Sequence, residues 1–203
     1  MSTPLSSPVA PRRASIVAMG LAQVCLAWSV AAHAQSDAAA SAPAATPESL
    51  DVGSAVPDVA SVKEGLFPED ACKELEASGF KCMGFKPAIK YSLPASSFAL
   101  GSSVVPELLK RQLDVFAEVL RGKRGSDRQV KIVGHADASG SQVGNLTLSQ
   151  RRAEAVRSYL VQKGVDAAML VAQGIGSAEP KNKTDPYSSE NRRVEIGRAN
   201  PPR

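Results

Sequence analysis

The clearest alternation of apolar and polar positions along the chain lies between Val130 and Tyr159. Gln129 to Gly134 is a short β-branched run that reads as a strand. A Gly/Ser segment carrying Asp137 follows. Ser141 then stands where a helix N-cap is expected, and a helical pattern runs on to Lys163 before Gly164 stops it. Leu148, Ala155, Val156, Tyr159 and Leu160 mark the apolar stripe of that helix, and Arg152 falls inside the stripe. A guanidinium facing a core is costly unless it is paired. Asp137, between strand and helix, is the carboxylate that chain order brings nearest.

The flanking patterns complete a domain over residues 86–199, with 200–203 as a tail. Ala88 to Leu93 alternates as an opening strand. Leu109, Leu113, Phe116 and Leu120 recur at helical spacing between Pro106, suited to a first turn, and Gly122. Ala168 to Gln173 reads as a third strand, Gly174 to Pro186 as a polar loop whose glycines serve turns, and Arg192 to Ile196 as a last strand. Alternation there puts Arg192, Val194 and Ile196 on one face and Arg193 and Glu195 on the other. The expected fold is α/β: a two-layer sandwich, βαβαβ-β, with a mixed four-stranded sheet covered by two long helices on one face.

Ahead of the domain, residues 1–34 read as a signal peptide: Arg12 and Arg13 form the basic start, Ala14 to Val30 the apolar stretch, and Ala32-His33-Ala34 the cleavage site. A retained anchor, a lipid attached at Cys25 and a twin-arginine route are weaker fits, the second because Val24 precedes the cysteine. Removing Arg12 and Arg13 takes Lys+Arg from 24 to 22 against 20 Asp+Glu. The basic balance then nearly vanishes, and with 4% aromatics nothing points to nucleic acid. Residues 35–65, rich in Ala, Ser and Pro, read as a linker. Residues 66–85 form a lead-in with a short helix at 69–77 and with Cys72 and Cys82. These are the only cysteines outside the signal, and in an oxidising compartment they are expected to pair in a disulfide.

A strand end meeting a helix start gathers free backbone N–H groups and a favourable dipole. An aspartate and an arginine held there offer one handle of each sign, suited to a zwitterion; a buried ion pair that only orders the helix uses the same two residues. Four ordered motifs carry a more specific likeness: Gly134-His135-Ala136-Asp137 with Gly140; Asn145, Leu148, Ser149, Arg152 and Ala153; Gly174, Gly176 and Pro180; and Asn191-Arg192-Arg193-Val194-Glu195-Ile196. Together they resemble the OmpA-like peptidoglycan-binding domain. The resemblance implies that Asp137 takes the ammonium and Arg152 the free carboxylate of diaminopimelate in the stem peptide of the cell wall. Asn145, backbone N–H groups around Leu146, and Arg192 are further expected contacts. The family often carries an acidic or amide residue after the first strand; this chain reads Leu93-Pro94-Ala95, so that wall of the site differs.

The expectation is a periplasmic, non-enzymatic module without a cofactor, associated with the outer membrane or not, whose partner is diaminopimelate-type peptidoglycan. Two alternatives remain at this stage. One is an interaction module of an envelope complex of motor or secretion type, and the other is a cell-wall hydrolase. Outside the signal His135 is the only histidine, too few for a metal triad, and Ser139 and Ser141 lack a base. His135 reads as a hydrogen-bonding residue at the strand end.

Overall fold

The computed structural model describes residues 49–199 apart from Phe85, 95–97, Leu100 and Ser126. The expected signal peptide, the first part of the linker and the tail lie outside the described residues. Five strands form one sheet: β1 (Ser49–Asp51), β2 (Lys90–Pro94), β3 (Val130–Gly134), β4 (Leu170–Gly174) and β5 (Arg193–Arg198), in the order β1-β2-β5-β3-β4. Strand β5 runs antiparallel to both β2 and β3, whereas β1 with β2 and β3 with β4 are parallel. The sheet is mixed as expected, with one strand more.

The helices are α1 (Val59–Leu66), α2 (Glu69–Ala77), α3 (Glu107–Arg121) and α4 (Gln142–Gln162). Alternation along the strands sends Tyr91, Leu93, Val130, Ile132, Val194 and Ile196 to one buried face. There they meet Leu109, Leu113, Phe116 and Leu120 of α3 and Val156 and Leu160 of α4 in one apolar core. Helix α2 keeps the expected bounds, and the caps follow the chain chemistry: Ser141 Oγ accepts from Gly144 N at 3.1 Å at the start of α4.

Two stretches differ from the pattern-based reading. The segment 35–65, expected to be linker throughout, contains β1 and all but the last residue of α1. Asp58 caps α1 by accepting from Ser61 N at 2.9 Å, and the Gln112 amide of α3 donates to the carbonyls of Gly53 and Ala55 at 2.9 and 2.7 Å. The lead-in is likewise bound into the domain. The buried Phe67 ring lies among three cations, with Arg198 at 5.0 Å, Lys123 at 5.3 Å and Arg128 at 5.5 Å from its centre. Asp70 pairs with Lys123 and, at 2.7 Å, with Arg128, while Glu69 takes Arg198 at 2.8 Å. Cys72 and Cys82 are joined in a disulfide with their Cα atoms 5.3 Å apart.

Candidate functional site

The site lies where β3 hands over to α4, and two glycines set its geometry. Gly134 and Gly174 face each other across the β3–β4 ladder. A Cβ on Gly134 would stand 2.2 Å from Ser149 O, and one on Gly174 2.2 Å from Gln150 N. Helix α4 therefore rests backbone-on-backbone on the ends of these strands, a contact only glycine permits. Gly174 was expected to serve a turn; it instead ends β4 as a seat for the helix, and Gly176, with φ +60, makes the turn. Ser149 Oγ and Gln150 Oε1 complete the joint by accepting from Gly176 N at 2.9 Å and Gly174 N at 2.6 Å.

This seating carries Asn145, Ser149 and Arg152 to the inner side of α4, where all three are buried. Asp137 is buried too, but its partner is not the expected one. Its Oδ2 accepts from Arg192 Nη1 at 2.5 Å, and its Oδ1 from Ser139 N at 2.9 Å. Burial pushes the Asp137 carboxyl up, but the bonds from Arg192 and Ser139 outweigh it and hold the group below its ordinary value. Asp137 and Arg152 form no direct ion pair. Arg152 is turned to the loop after β2: its Nε donates to Ser102 O at 3.0 Å, and its guanidinium lies 5.0 Å from the centre of the Phe98 ring.

The other two nitrogens of Arg152 have no hydrogen-bond partner among the described residues. Burial and the nearby Arg192 push its guanidinium down from the ordinary value, and Asp137 opposes them only in part. Such a group stays charged, so the site holds a buried cation that no carboxylate neutralises directly. An anion entering here would find two donors on a fixed fork.

The remaining expected residues divide. Arg192 sits at the entrance to β5 and reaches Asp137. Arg193, on the opposite face, donates to Glu195 Oε1 at 2.8 Å. Asn145 donates from Nδ2 to Asp137 O at 2.9 Å, so half of its amide ties the strand end to the helix. Leu146 is the fifth helical residue, and an α-helix commits that N–H to the carbonyl four residues back. Its exposed side chain instead borders a cleft of about 340 Å³ with Gly140, Asn145, Ile175 and Ser177. Pro94 at the altered wall pairs with Arg193 in the β2–β5 register.

His135 was expected to hydrogen-bond at the strand end. Its ring nitrogens make no hydrogen bond among the described residues. Glu195 holds Arg193 on one oxygen and Lys90, at 3.2 Å, on the other, and His135 Nε2 stands 3.5 Å from that second oxygen. Burial pushes Glu195 up, yet His135 and Arg193 hold it well below the usual carboxylate range. The chain pattern singled out neither Phe98 nor Ser102. The only trace was an aromatic residue in an otherwise small-residue loop.

Residues 97–193 match the model of the OmpA family. Among curated relatives, the chain is 44% identical over 69 residues to the "Probable lipoprotein YiaD" of Escherichia coli, covering 33% of this chain and 32% of that protein. It is 38% identical over 97 residues to the "Peptidoglycan-associated lipoprotein" of Pseudomonas aeruginosa, covering 47% and 55%. Among solved structures, the peptidoglycan-associated lipoprotein of Burkholderia pseudomallei is 30% identical with a TM-score of 0.43, covering 48% of this chain and 82% of that one. The chain thus spans about a third and about half of the length of these two curated relatives.

Proposed function

We propose, from the premise that residues 97–193 belong to the OmpA family, that this protein binds peptidoglycan without catalysing a reaction and so tethers itself or an envelope partner to the cell wall. The ligand is the diaminopimelate residue of the stem peptide. Its free carboxylate docks on the outer nitrogens of Arg152, and its ammonium on Asp137, which Arg192 shares or releases. The observation that carries this reading is the buried, uncompensated charge of Arg152. An arginine serving only to order a helix would be paired, because an isolated buried charge is costly. Asn145 holds the Asp137 backbone in place, its Oδ1 facing no described donor, and the cleft beside Leu146 accommodates the neighbouring part of the peptide.

A non-catalytic role fits the same geometry. Asp137 is held as a carboxylate by Arg192 and Ser139, and His135 is enclosed against Glu195 on the far side of the sheet. Export to the periplasm rests on the N-terminal signal pattern; among the described residues no helix is long and apolar enough to cross a membrane.

The experiment is co-sedimentation with purified sacculi. Wild type should pellet with diaminopimelate-type walls, and Asp137→Ala and Arg152→Ala should stay in solution with their fold retained. Lysine-type walls keep the ammonium but lack the carboxylate that Arg152 takes, so they should bind more weakly by about 1.5–3 kcal/mol, the contribution of one charge-assisted bond. Equal pelleting of both wall types would refute the ligand assignment. Docking onto an envelope complex has one observation in its favour: Leu50, Leu75 and Ile89 line a groove of about 490 Å³ beside the disulfide. Affinity capture from envelopes before and after wall digestion separates the two readings.

A further inference from the structure

We propose that Phe98 is a positioning residue for Arg152: with the Ser102 carbonyl it fixes the guanidinium so that only the end-on pair of nitrogens is offered to the ligand carboxylate. This rests on the peptidoglycan-binding reading above and goes beyond it by naming what sets the site's selectivity.

A guanidinium can meet a carboxylate in two bidentate ways, side-on through Nε and one outer nitrogen or end-on through both outer nitrogens. In this protein Nε is spent on Ser102 O at 3.0 Å, which closes the side-on approach. The remaining freedom is rotation and tilt of the plane, and the Phe98 ring opposes that, with the guanidinium carbon 5.0 Å from its centre. Phe98 is itself 6% exposed and belongs to the apolar core, so the ring is anchored. A cation held between a carbonyl and an aromatic face is oriented without being neutralised. A carboxylate in the Ser102 or Phe98 position would orient Arg152 equally well, but would compete with the ligand for it.

Orientation of this kind matters to one ligand group only. The ammonium of the stem peptide is taken by Asp137, and a lysine-type peptide presents nothing to Arg152. Loss of the ring should therefore reduce affinity for a carboxylate-bearing peptide while leaving its lysine counterpart nearly unaffected.

Calorimetric titration of the full chain with two tripeptides, carrying diaminopimelate or lysine at the third position, tests this. Phe98→Leu is expected to weaken diaminopimelate binding about 5- to 30-fold, the range of a desolvated cation–π contact, and to leave lysine binding within about twofold. Phe98→Tyr keeps the ring and should restore selectivity. Unchanged selectivity in Phe98→Leu, or Phe98→Tyr as poor as Phe98→Leu, overturns the proposal. Should Phe98→Leu fail to fold, wild type supplies the readout: the Arg152 Nε–H resonance, assigned by its loss in Arg152→Ala, should be shifted upfield by the ring and exchange slowly, and a resonance at the free-arginine position overturns the proposal. If Arg152→Ala itself leaves the two affinities in their wild-type ratio, the binding reading fails. If it abolishes selectivity where Phe98→Leu does not, only the positioning role fails.

Discussion

Replacing Gly174 with alanine is the most direct way to lift α4 off the sheet. The added Cβ would sit 2.2 Å from Gln150 N and 2.5 Å from Gln150 Cα. Ordinary contact begins near 3.4 Å, and since the obstructing atoms are backbone, the helix must withdraw by roughly 1 Å. Overpacking of this kind costs about 1–3 kcal/mol, and a backbone collision belongs at the upper end. Alanine also restricts the unfolded chain and returns about 0.4–1 kcal/mol. The net expectation is a destabilisation of about 2 kcal/mol, or roughly 4–8 °C in Tm for a chain of this size. Withdrawal also stretches the bonds from Gly174 N to Gln150 and from Gly176 N to Ser149, and carries Arg152 away from Ser102. Urea unfolding measures the first effect and sacculus binding the second, which should fall even though every charged group is intact. A variant with stability within about 0.5 kcal/mol of wild type and full wall binding would refute the idea that this contact seats the site.

Other consequences follow from the ion pairs and the disulfide. Asp137 is held below its ordinary value of 3.8; a lowered pKa means that its stabilisation is present above that value and lost as pH falls through the folded one. Wall binding measured against pH should thus persist to about pH 4.5 and fail only in stronger acid, and loss near pH 6 would show that another group controls it. Asp70→Ala removes the partner of Lys123 and Arg128 and should cost about 2–3 kcal/mol in chemical denaturation, somewhat less than a fully buried pair, with the loss concentrated in the lead-in by hydrogen exchange. Reduction of Cys72–Cys82, whose sequence separation is 10, should lower stability by about 2–3 kcal/mol in the chain-entropy model. Wall binding should survive it, because the site lies on other elements.

How much of this was visible in the chain depends on whether local or distant contacts set each feature. Helix α4 announces itself through a side-chain period, an N-cap and a terminal glycine, all local, and the buried Arg152 stands out because it breaks that period. Strand β1 has no such signature. Three exposed residues acquire their structure from parallel pairing to β2, and the turn after them from the Gln112 amide, about sixty positions away, so an Ala/Ser/Pro-rich stretch conceals an ordered start. Helix α1 hides similarly, although Asp58 three residues before Ser61 is a readable cap.

The partners of the charges were the hardest part to read, for a chemical reason. A carboxylate can be found in a sequence and matched to an arginine by proximity, which is how Asp137 came to be assigned to Arg152. The group that holds Arg152 is a backbone carbonyl, which every residue possesses and none advertises, and the surface beneath it is an aromatic ring in a loop. Arg192, in turn, stands just before β5, where alternation gives a face but not a reach. Once Arg152 is held by a carbonyl rather than a carboxylate, Asp137 is left to Arg192, whose side chain is 36% exposed and able to move aside. That division leaves one fixed cation and one carboxylate with a displaceable partner, and a zwitterionic ligand needs both.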